Sequence, residues 1–439
     1  MDSDRPTVDR KQKFRVINGS KSSLRTKHTL GPDWEIPLNT WPRRIIAIVL
    51  ILAASGTLIY RASWLFLAAW ITRNKPMDPA VYERAIQYDP NNADYHFVLA
   101  QIYNYTTQSL NLERARDEYE AAVRLNPNRS AHWLELSKFY EQEKNLDRCR
   151  FAMTKALETD PNYAQTHWAA ANLYVRLADQ RAADYELRRA ADLDPAYVIQ
   201  VLDLVWRIYE DPAVIMSTHV PNTRNANLVA LDYFVLNQSE QGAALAWDRL
   251  QAFETKPQER FNYINYLVNL HRPSDAWKVF AVGLPPIGGV PFFNPSFETE
   301  PLNGDFDWRF ESSDDAEVRR DTTTVKDGMA SMVINFSGKQ NVDYHHFWHR
   351  MPAEKGKRYI LKFWMKTDSI ATNEGMYVEV DGQKSEKQVG TTYWQEFTVS
   401  FTATSDLVQV TLRRDASRKF DNLLKGKVWL DGFSVTKLG

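Results

Sequence analysis

Hydrophobic and polar positions along this 439-residue chain fall into three successive regimes. In the first, Ile45 to Tyr60 carries no charge, and Ala62 to Ile71 extends the apolar run past Arg61. At 1.5 Å per residue, a helix of the first block is about 24 Å long, a little short of the roughly 30 Å hydrocarbon core of a bilayer. Arg61 then falls near the far boundary, where its stem carries the guanidinium to the headgroups. Trp41 on one side, and Trp64 and Trp70 on the other, suit the interfacial belts. The pattern predicts one transmembrane helix over residues 45–71. A cleaved signal peptide fits poorly, because a long segment precedes the run and no small-residue cleavage site follows it at once.

In the second regime the apolar period is 3.6 and the sequence repeats. Asp89-Pro90, Asn126-Pro127, Asp160-Pro161 and Asp194-Pro195 are spaced 37, 34 and 34 residues apart. One copy orders Trp133, Leu136, Ser137, Tyr140, Cys149, Met153, Ala156 and Pro161. The next orders His167, Ala170, Ala171, Tyr174, Ala183, Leu187, Ala190 and Pro195. The preceding one orders His96, Leu99, Ala100, Tyr103, Ala115, Tyr119, Ala122 and Pro127, with extra residues around "QSLNLE". Small residues at 100, 137 and 171 let paired helices approach, and Pro ends each unit because it cannot continue a helix. "PMDPAVYERAIQYDP" reads as a lone helix from Ala80 to Tyr88 that joins the membrane helix to the array. "EDPAVIMSTHVPNTRN" breaks the register, and two degenerate units follow.

This 34-residue skeleton resembles the tetratricopeptide repeat (TPR) family, closely over 93–195 and less so over 196–285. The resemblance implies an α-solenoid over 78–285 whose concave groove is lined by four positions on each first helix. Here these are Asp94, Phe97, Gln101 and Asn104, then Ala131, Leu134, Lys138 and Glu141, then Gln165, Trp168, Asn172 and Val175. Phe97, Leu134 and Trp168 would form an apolar strip with polar edges, suited to an extended peptide or a partner helix. The alternative packs Trp168 inside the solenoid.

At "LPPIGGVPFFNPSFE" the period switches from 3.6 to 2, which marks a boundary near residue 286. "SMVINFSG", "RYILKFWMK", "MYVEVDG", "QEFTVSFT", "VQVTLRR" and "KVWLDGFSVTKL" alternate apolar with polar, separated by Gly, Asp and Asn turns. They predict an antiparallel sandwich of about eight or more strands. "FFNPSFE", Trp308, "KDGMASMVINF", Gly356 and Tyr359 before "ILKFWMK", "YWQEFTVSFT" and "VWLDGFSV" resemble the landmarks of jelly-roll carbohydrate-binding modules, a galactose-binding-like fold, over 292–438. The landmark positions Trp308, Trp394 and Trp429 are expected in the core. Trp348 and Trp364 lie opposite the core residues of their strands. They are the candidates for glycan stacking, the alternative being packing against a loop. Strict alternation in "YHHFWHRM" puts His345 and His349 on one face, about 13 Å apart and too far for one metal ion unless the strand bulges. The family resemblance implies a structural calcium between Glu298 and Asp431, the alternative being two turn-capping acids.

Charge gives a direction. Residues 1–44 hold ten of the 54 Lys and Arg and five of the 55 acids, and Arg43-Arg44 abuts the apolar run. The positive-inside bias leaves that tail, which reads as disordered, in the cytoplasm and sends the rest across. The remainder carries 44 basic and 50 acidic residues, which argues against a nucleic-acid partner. The lone Cys149 allows no intramolecular disulfide and favours a bacterial envelope protein. No Gly-x-Ser-x-Gly, phosphate loop, dinucleotide fingerprint or His-Glu-x-x-His occurs, so no enzyme is expected. The chain therefore reads as multidomain: basic tail, single transmembrane helix, all-α TPR-like solenoid, then an all-β jelly-roll sandwich over 287–439. The expected role is a non-catalytic scaffold in the bacterial inner membrane. It would meet other envelope proteins through the groove, with a polysaccharide as possible ligand. A protein-assembly scaffold with an inert sandwich, and a glycan-processing enzyme, are the alternatives.

Overall fold

The computed structural model describes residues 40–74, 77–420 and 422–439. The expected disordered tail lies outside the described residues as far as residue 39. Residues 41–44 already belong to the first helix, so the apolar helix starts earlier than its uncharged core. The chain divides into two compact units, Met1–Asn111 and Leu112–Gly439.

In the first unit, α1 (Trp41–Thr72) is long and apolar enough to cross a membrane. Its 32 residues span about 48 Å, more than a bilayer core. Its hydroxyls bond to their own backbone, Thr57 to the Ala53 carbonyl and Ser63 to that of Ile59, both at 2.8 Å. The hydroxyls of those side chains are therefore satisfied within the helix itself. The surplus length packs on α2 (Pro79–Tyr88), where Trp64 lies 4.9 Å from the Tyr88 ring. Asp78 caps α2 and Asn92 caps α3 (Ala93–Tyr105), each accepting from an amide two residues on. The Tyr103 hydroxyl donates to Glu83 at 2.6 Å and ties α3 to α2.

The second unit opens with α4 (Leu112–Leu125), α5 (Ser130–Gln142), α6 (Leu146–Thr159), α7 (Ala164–Arg176) and α8 (Gln180–Leu193). It continues with α9 (Tyr197–Tyr209), α10 (Pro212–Thr218), α11 (Arg224–Leu236), α12 (Glu240–Leu250), α13 (Phe261–Asn269) and α14 (Pro273–Ala281). The segment that breaks the sequence register is not a loop. Asp211 caps the short α10, whose end carries buried His219 to within 2.9 Å of Asp184. Ser137 and Ala171 are fully buried, as helices in close approach require.

The repeat-ending prolines do more than stop helices. Six residues beyond three of them, a ring nitrogen donates to the proline carbonyl: His96 to Pro90 at 3.2 Å, Trp133 to Pro127 at 2.8 Å and His167 to Pro161 at 3.0 Å. Each large residue at the start of a repeat thus satisfies a carbonyl that proline leaves without a helical partner. Cys149 is buried, and burial pushes its thiol up to about 11, which leaves it inert. Arg260 is also fully buried, and its guanidinium donates at 3.1 Å to the Val282 carbonyl just beyond α14.

The sandwich is two five-stranded antiparallel sheets. One runs β1-β4-β9-β6-β7 and the other β2-β3-β10-β5-β8. The strands are β1 (Trp308–Phe310), β2 (Ala316–Asp321), β3 (Ser331–Ser337), β4 (Tyr344–Pro352), β5 (Arg358–Ile370), β6 (Tyr377–Val380), β7 (Gln383–Lys384), β8 (Gly390–Thr402), β9 (Leu407–Arg414) and β10 (Lys425–Lys437). Alternation fills the space between the sheets, with Trp308 4.8 Å from Phe347 and 4.6 Å from Phe433. Of the landmark tryptophans only Trp308 occupies this core. Trp429 is buried on the outer side, where it donates to Asp321 at 2.8 Å, and Trp394 is half-exposed.

The boundary expected near 286 lies inside the second unit, because the sandwich and the last helices share aromatic packing. Phe306, in the loop before β1, is fully buried 5.6 Å from Trp277 and 5.8 Å from Phe280 of α14. Gly304 passes so close to α13 that a Cβ there would meet the Phe261 ring at 2.2 Å. Asp307 fastens the loop by accepting the Leu302 and Trp308 amides, each at 2.7 Å. Burial pushes its carboxyl up to about 6, against those amides.

Candidate functional site

The outer face of the first sheet carries a dense polar set around an aromatic ring. Core residues Phe347, His349 and Met351 point inward from β4, so Trp348 and Arg350 point out. Registration then builds one row across the sheet. Arg309 of β1 lies opposite Trp348, Trp348 opposite Thr411 of β9, Thr411 opposite Glu379 of β6, and Glu379 opposite Lys384 of β7. Beside the row, Arg350 donates to Gln409 at 3.1 Å and Gln409 donates to Thr411 at 3.0 Å. The Trp348 ring is flanked by the guanidiniums of Arg309 at 4.9 Å and Arg350 at 4.6 Å. Both have a terminal nitrogen 3.5 Å from the same buried oxygen of Asp305, on the loop that docks into the solenoid.

A β-bulge completes the site. Between Tyr344 and Phe347, β4 advances three residues while β9 advances two. The extra residue puts His345 and His346 together on the exposed side, rings 4.4 Å apart. This corrects the expected pairing of His345 with His349. His349 is wholly buried and stacks on Phe292 at 3.9 Å. Burial lowers its imidazole to about 3, although its Nε2–H donates to the Phe293 carbonyl at 3.2 Å. His345, His346, Arg309, Trp348, Asn303, Phe310 and Glu311 line a depression of about 180 Å³.

Trp364 projects from the outer face of the other sheet, so it cannot share a platform with Trp348. Lys326 covers its ring at 4.0 Å. The same turn receives the two acids to which the family resemblance gave calcium. Asp431 accepts the amides of Lys326, Asp327 and Gly432 at 2.8, 2.9 and 2.8 Å, and Glu298 accepts that of Met329 at 2.8 Å. Burial raises the Asp431 carboxyl while these amides oppose it. Calcium wants six to eight oxygens, whereas the pair meets N–H donors, so its geometry fits a capped turn and not a cation cage. Among the described residues no group of three or more His, Cys, Asp or Glu could hold a metal ion.

The expected groove residues fall in both units and are described separately. In the first, Phe97 and Gln101 are half-buried on α3 and Asn104 is buried. In the second, Leu134 is half-buried and Lys138 pairs with Glu135 at 2.6 Å on α5. On α7, Asn172 donates to the Trp168 carbonyl at 2.8 Å and Gln165 accepts the Tyr163 hydroxyl at 2.9 Å. Arg176 grips Glu141 through two bonds, at 2.6 and 2.8 Å, across α7 and α5. Trp168 is half-buried against the helical core, 6.0 Å from Tyr197.

Residues 133–163 match the tetratricopeptide repeat family. The match spans α5 and α6, one helical pair of the repeating region. No curated protein sequence matches the chain. Some solved structures are similar to parts of it. One from Bacteroides thetaiotaomicron, described as a sugar binding protein, is 12% identical, covering 34% of this chain and 100% of its own, with a TM-score of 0.27. The Pseudomonas aeruginosa pilF structure is 13% identical over 53% of this chain and 95% of its own, with a TM-score of 0.27. A CBM4 structure is 19% identical over 33% of this chain and 98% of its own, with a TM-score of 0.24.

Sequence reasoning reached Trp348 but missed its setting. Arg309, Arg350 and Asp305 come from two strands and a loop, and only "GDFDWRF", dense in charge and aromatics beside a landmark Trp, hinted at them.

Proposed function

We propose that the chain is a non-catalytic scaffold anchored by α1 in a bacterial inner membrane, with the helical repeats and the sandwich on the extracytoplasmic side. Its helical repeats engage another envelope protein, and its sandwich holds a polysaccharide during assembly or export. The observation that carries the sugar half is the row Arg309–Trp348–Thr411–Glu379 on an outward sheet face. It sets an aromatic ring among donors and acceptors spaced to fix hydroxyls. Glycan-array binding of the detergent-solubilised full chain tests it, with Trp348→Ala expected to weaken retention. Retention of no glycan would leave the second reading, a protein-assembly scaffold whose sandwich is a cap. Phe306, buried against Trp277 and Phe280, favours that one, since a solenoid end needs its last apolar face covered. Orientation is tested separately: an alkaline-phosphatase fusion after residue 75 should be active and one after residue 40 inactive.

A further inference from the structure

We infer that the sugar taken at the Trp348 face is acidic, with its carboxylate held by Arg309 and the paired histidines of the β4 bulge. This rests on the sugar-binding reading and narrows it. A neutral pyranose stacks on an uncovered ring face, but two guanidiniums already lie 4.9 and 4.6 Å from the Trp348 ring centre. The ring therefore serves to position cations. Those cations are under-compensated. Asp305 brings one carboxylate to two guanidiniums, and the oxygen 3.5 Å from both makes no hydrogen bond to either. Among the described residues the Arg309 side chain makes no hydrogen bond, so its fork of N–H donors is available. Arg350 engages Gln409 through one nitrogen only. Arginine forks match carboxylates two-to-two, which hydroxyls cannot do.

The bulge puts further ring nitrogens within the same depression, because His345 and His346 line it with Arg309. Glu311 is the opposing charge on its rim, and Glu379, farther along the row, is shared between Arg413 and Lys384 at 3.9 Å each. A second depression, of about 620 Å³, is lined by Arg350, whose guanidinium lies on the Trp348 ring. It is also lined by Gln409, Thr404, Ser405 and Asp406 of the sandwich and by Asn269 and His271 of the helical array. The chain of a polymer can leave the carboxylate pocket along Arg350 toward these neutral and mixed groups.

The test uses the detergent-solubilised full chain and two polymer pairs, polygalacturonate and polyglucuronate with their carboxyl-reduced counterparts. The expected result is at least tenfold tighter binding of an acidic member than of its reduced partner. That preference should shrink several-fold as salt rises from about 50 to about 300 mM, where screening of surface charge deepens. Arg309→Gln should erase the preference. The double variant His345→Ala/His346→Ala, confined to exposed side chains, should reduce it severalfold even if the arginine variant folds poorly. Equal binding of acidic and reduced polymers, or a preference untouched by both variants, overturns the assignment of an acidic sugar to this face and leaves the sugar-binding reading standing. Binding of neither member of either pair overturns both.

Discussion

Trp168 in the helical array and Trp348 in the sandwich sit at comparable partial exposure, yet their neighbours are in opposite states. Around Trp168 the polar groups are engaged with one another: Asn172 bonds the backbone, and Arg176 and Glu141 close on each other. The ring leans on Tyr197 and the helical core. Around Trp348 two guanidiniums share one carboxylate oxygen that bonds to neither, and an exposed histidine pair stands beside them. A ring on a surface marks a binding site less surely than donors left without acceptors do. A new ligand at Trp168 must break existing bonds, whereas one at Trp348 completes unmet ones.

The largest effect concerns the joint between the two regions. Phe306→Ala should cost about 3–5 kcal/mol, the range for deleting a fully buried phenyl ring. Chemical denaturation should then show the single transition of the second unit split in two, with the sandwich and the helices melting apart. A single transition at unchanged midpoint would mean that the two regions are independent and the aromatic joint is incidental.

The tryptophans come next. Trp168→Ala should lower stability by about 2 kcal/mol, because half of a large ring leaves the helical core. Trp348→Ala should cost less than about 1 kcal/mol, since its ring lies outside the inter-sheet core. Its glycan affinity should nevertheless fall roughly ten- to thirtyfold, in keeping with other aromatic contacts. If the two stability losses were reversed, the contrast drawn between the sites would be wrong.

Acid sharpens the comparison within the sandwich, where two buried groups pull in opposite directions. His349 titrates near 3 when folded, below its ordinary value, so its neutral burial contributes stability above about 6.5 that is lost as pH falls. Asp307 titrates near 6, above its ordinary value, so its contribution is present below about 3.8 and lost as pH rises through 6. Going from about pH 6.5 to about pH 5, His349 alone gives up about 2 kcal/mol and Asp307 alone regains about 1 kcal/mol. The wild-type melting temperature should therefore fall only modestly. His349→Phe should reverse the slope, and Asp307→Asn should steepen it. Identical slopes in all three proteins would contradict both assignments.

The smallest effect expected is none. Because backbone amides occupy Glu298 and Asp431, EDTA should leave the melting temperature of the second unit unchanged. A drop of several degrees, restored by added calcium, would show that these acids hold a cation after all.

The long apolar helix, the 34-residue units and most strands were legible from the residues because each follows a local pattern. A run of apolar residues, a spacing of prolines and an alternation along "RYILKFWMK" need no partner to be recognised. The inward set Leu361, Phe363 and Met365 is fully buried as that alternation requires. The same rule failed at "YHHFWHRM", because a single extra residue in β4 inverts every face on one side of it. A bulge is decided by how β4 pairs with β9, some sixty residues away. The Pro–ring hydrogen bonds of the repeats sit between these cases: local in sequence, yet visible only once the backbone places the proline carbonyl over the helix.

By itself the sequence determined the order of the parts and the outward direction of Trp348, since those depend on neighbours within a turn or a strand. Only the tertiary structure decided what Trp348 meets. Arg309 arrives by strand pairing, Arg350 by alternation beyond the bulge, and Asp305 by a loop pinned through Phe306 against α14. It also decided that Glu298 and Asp431 cap one turn, although 133 positions separate them in the chain. Charge and hydrogen bonding act over a few ångströms in space, and only the fold sets which distant residues come that close.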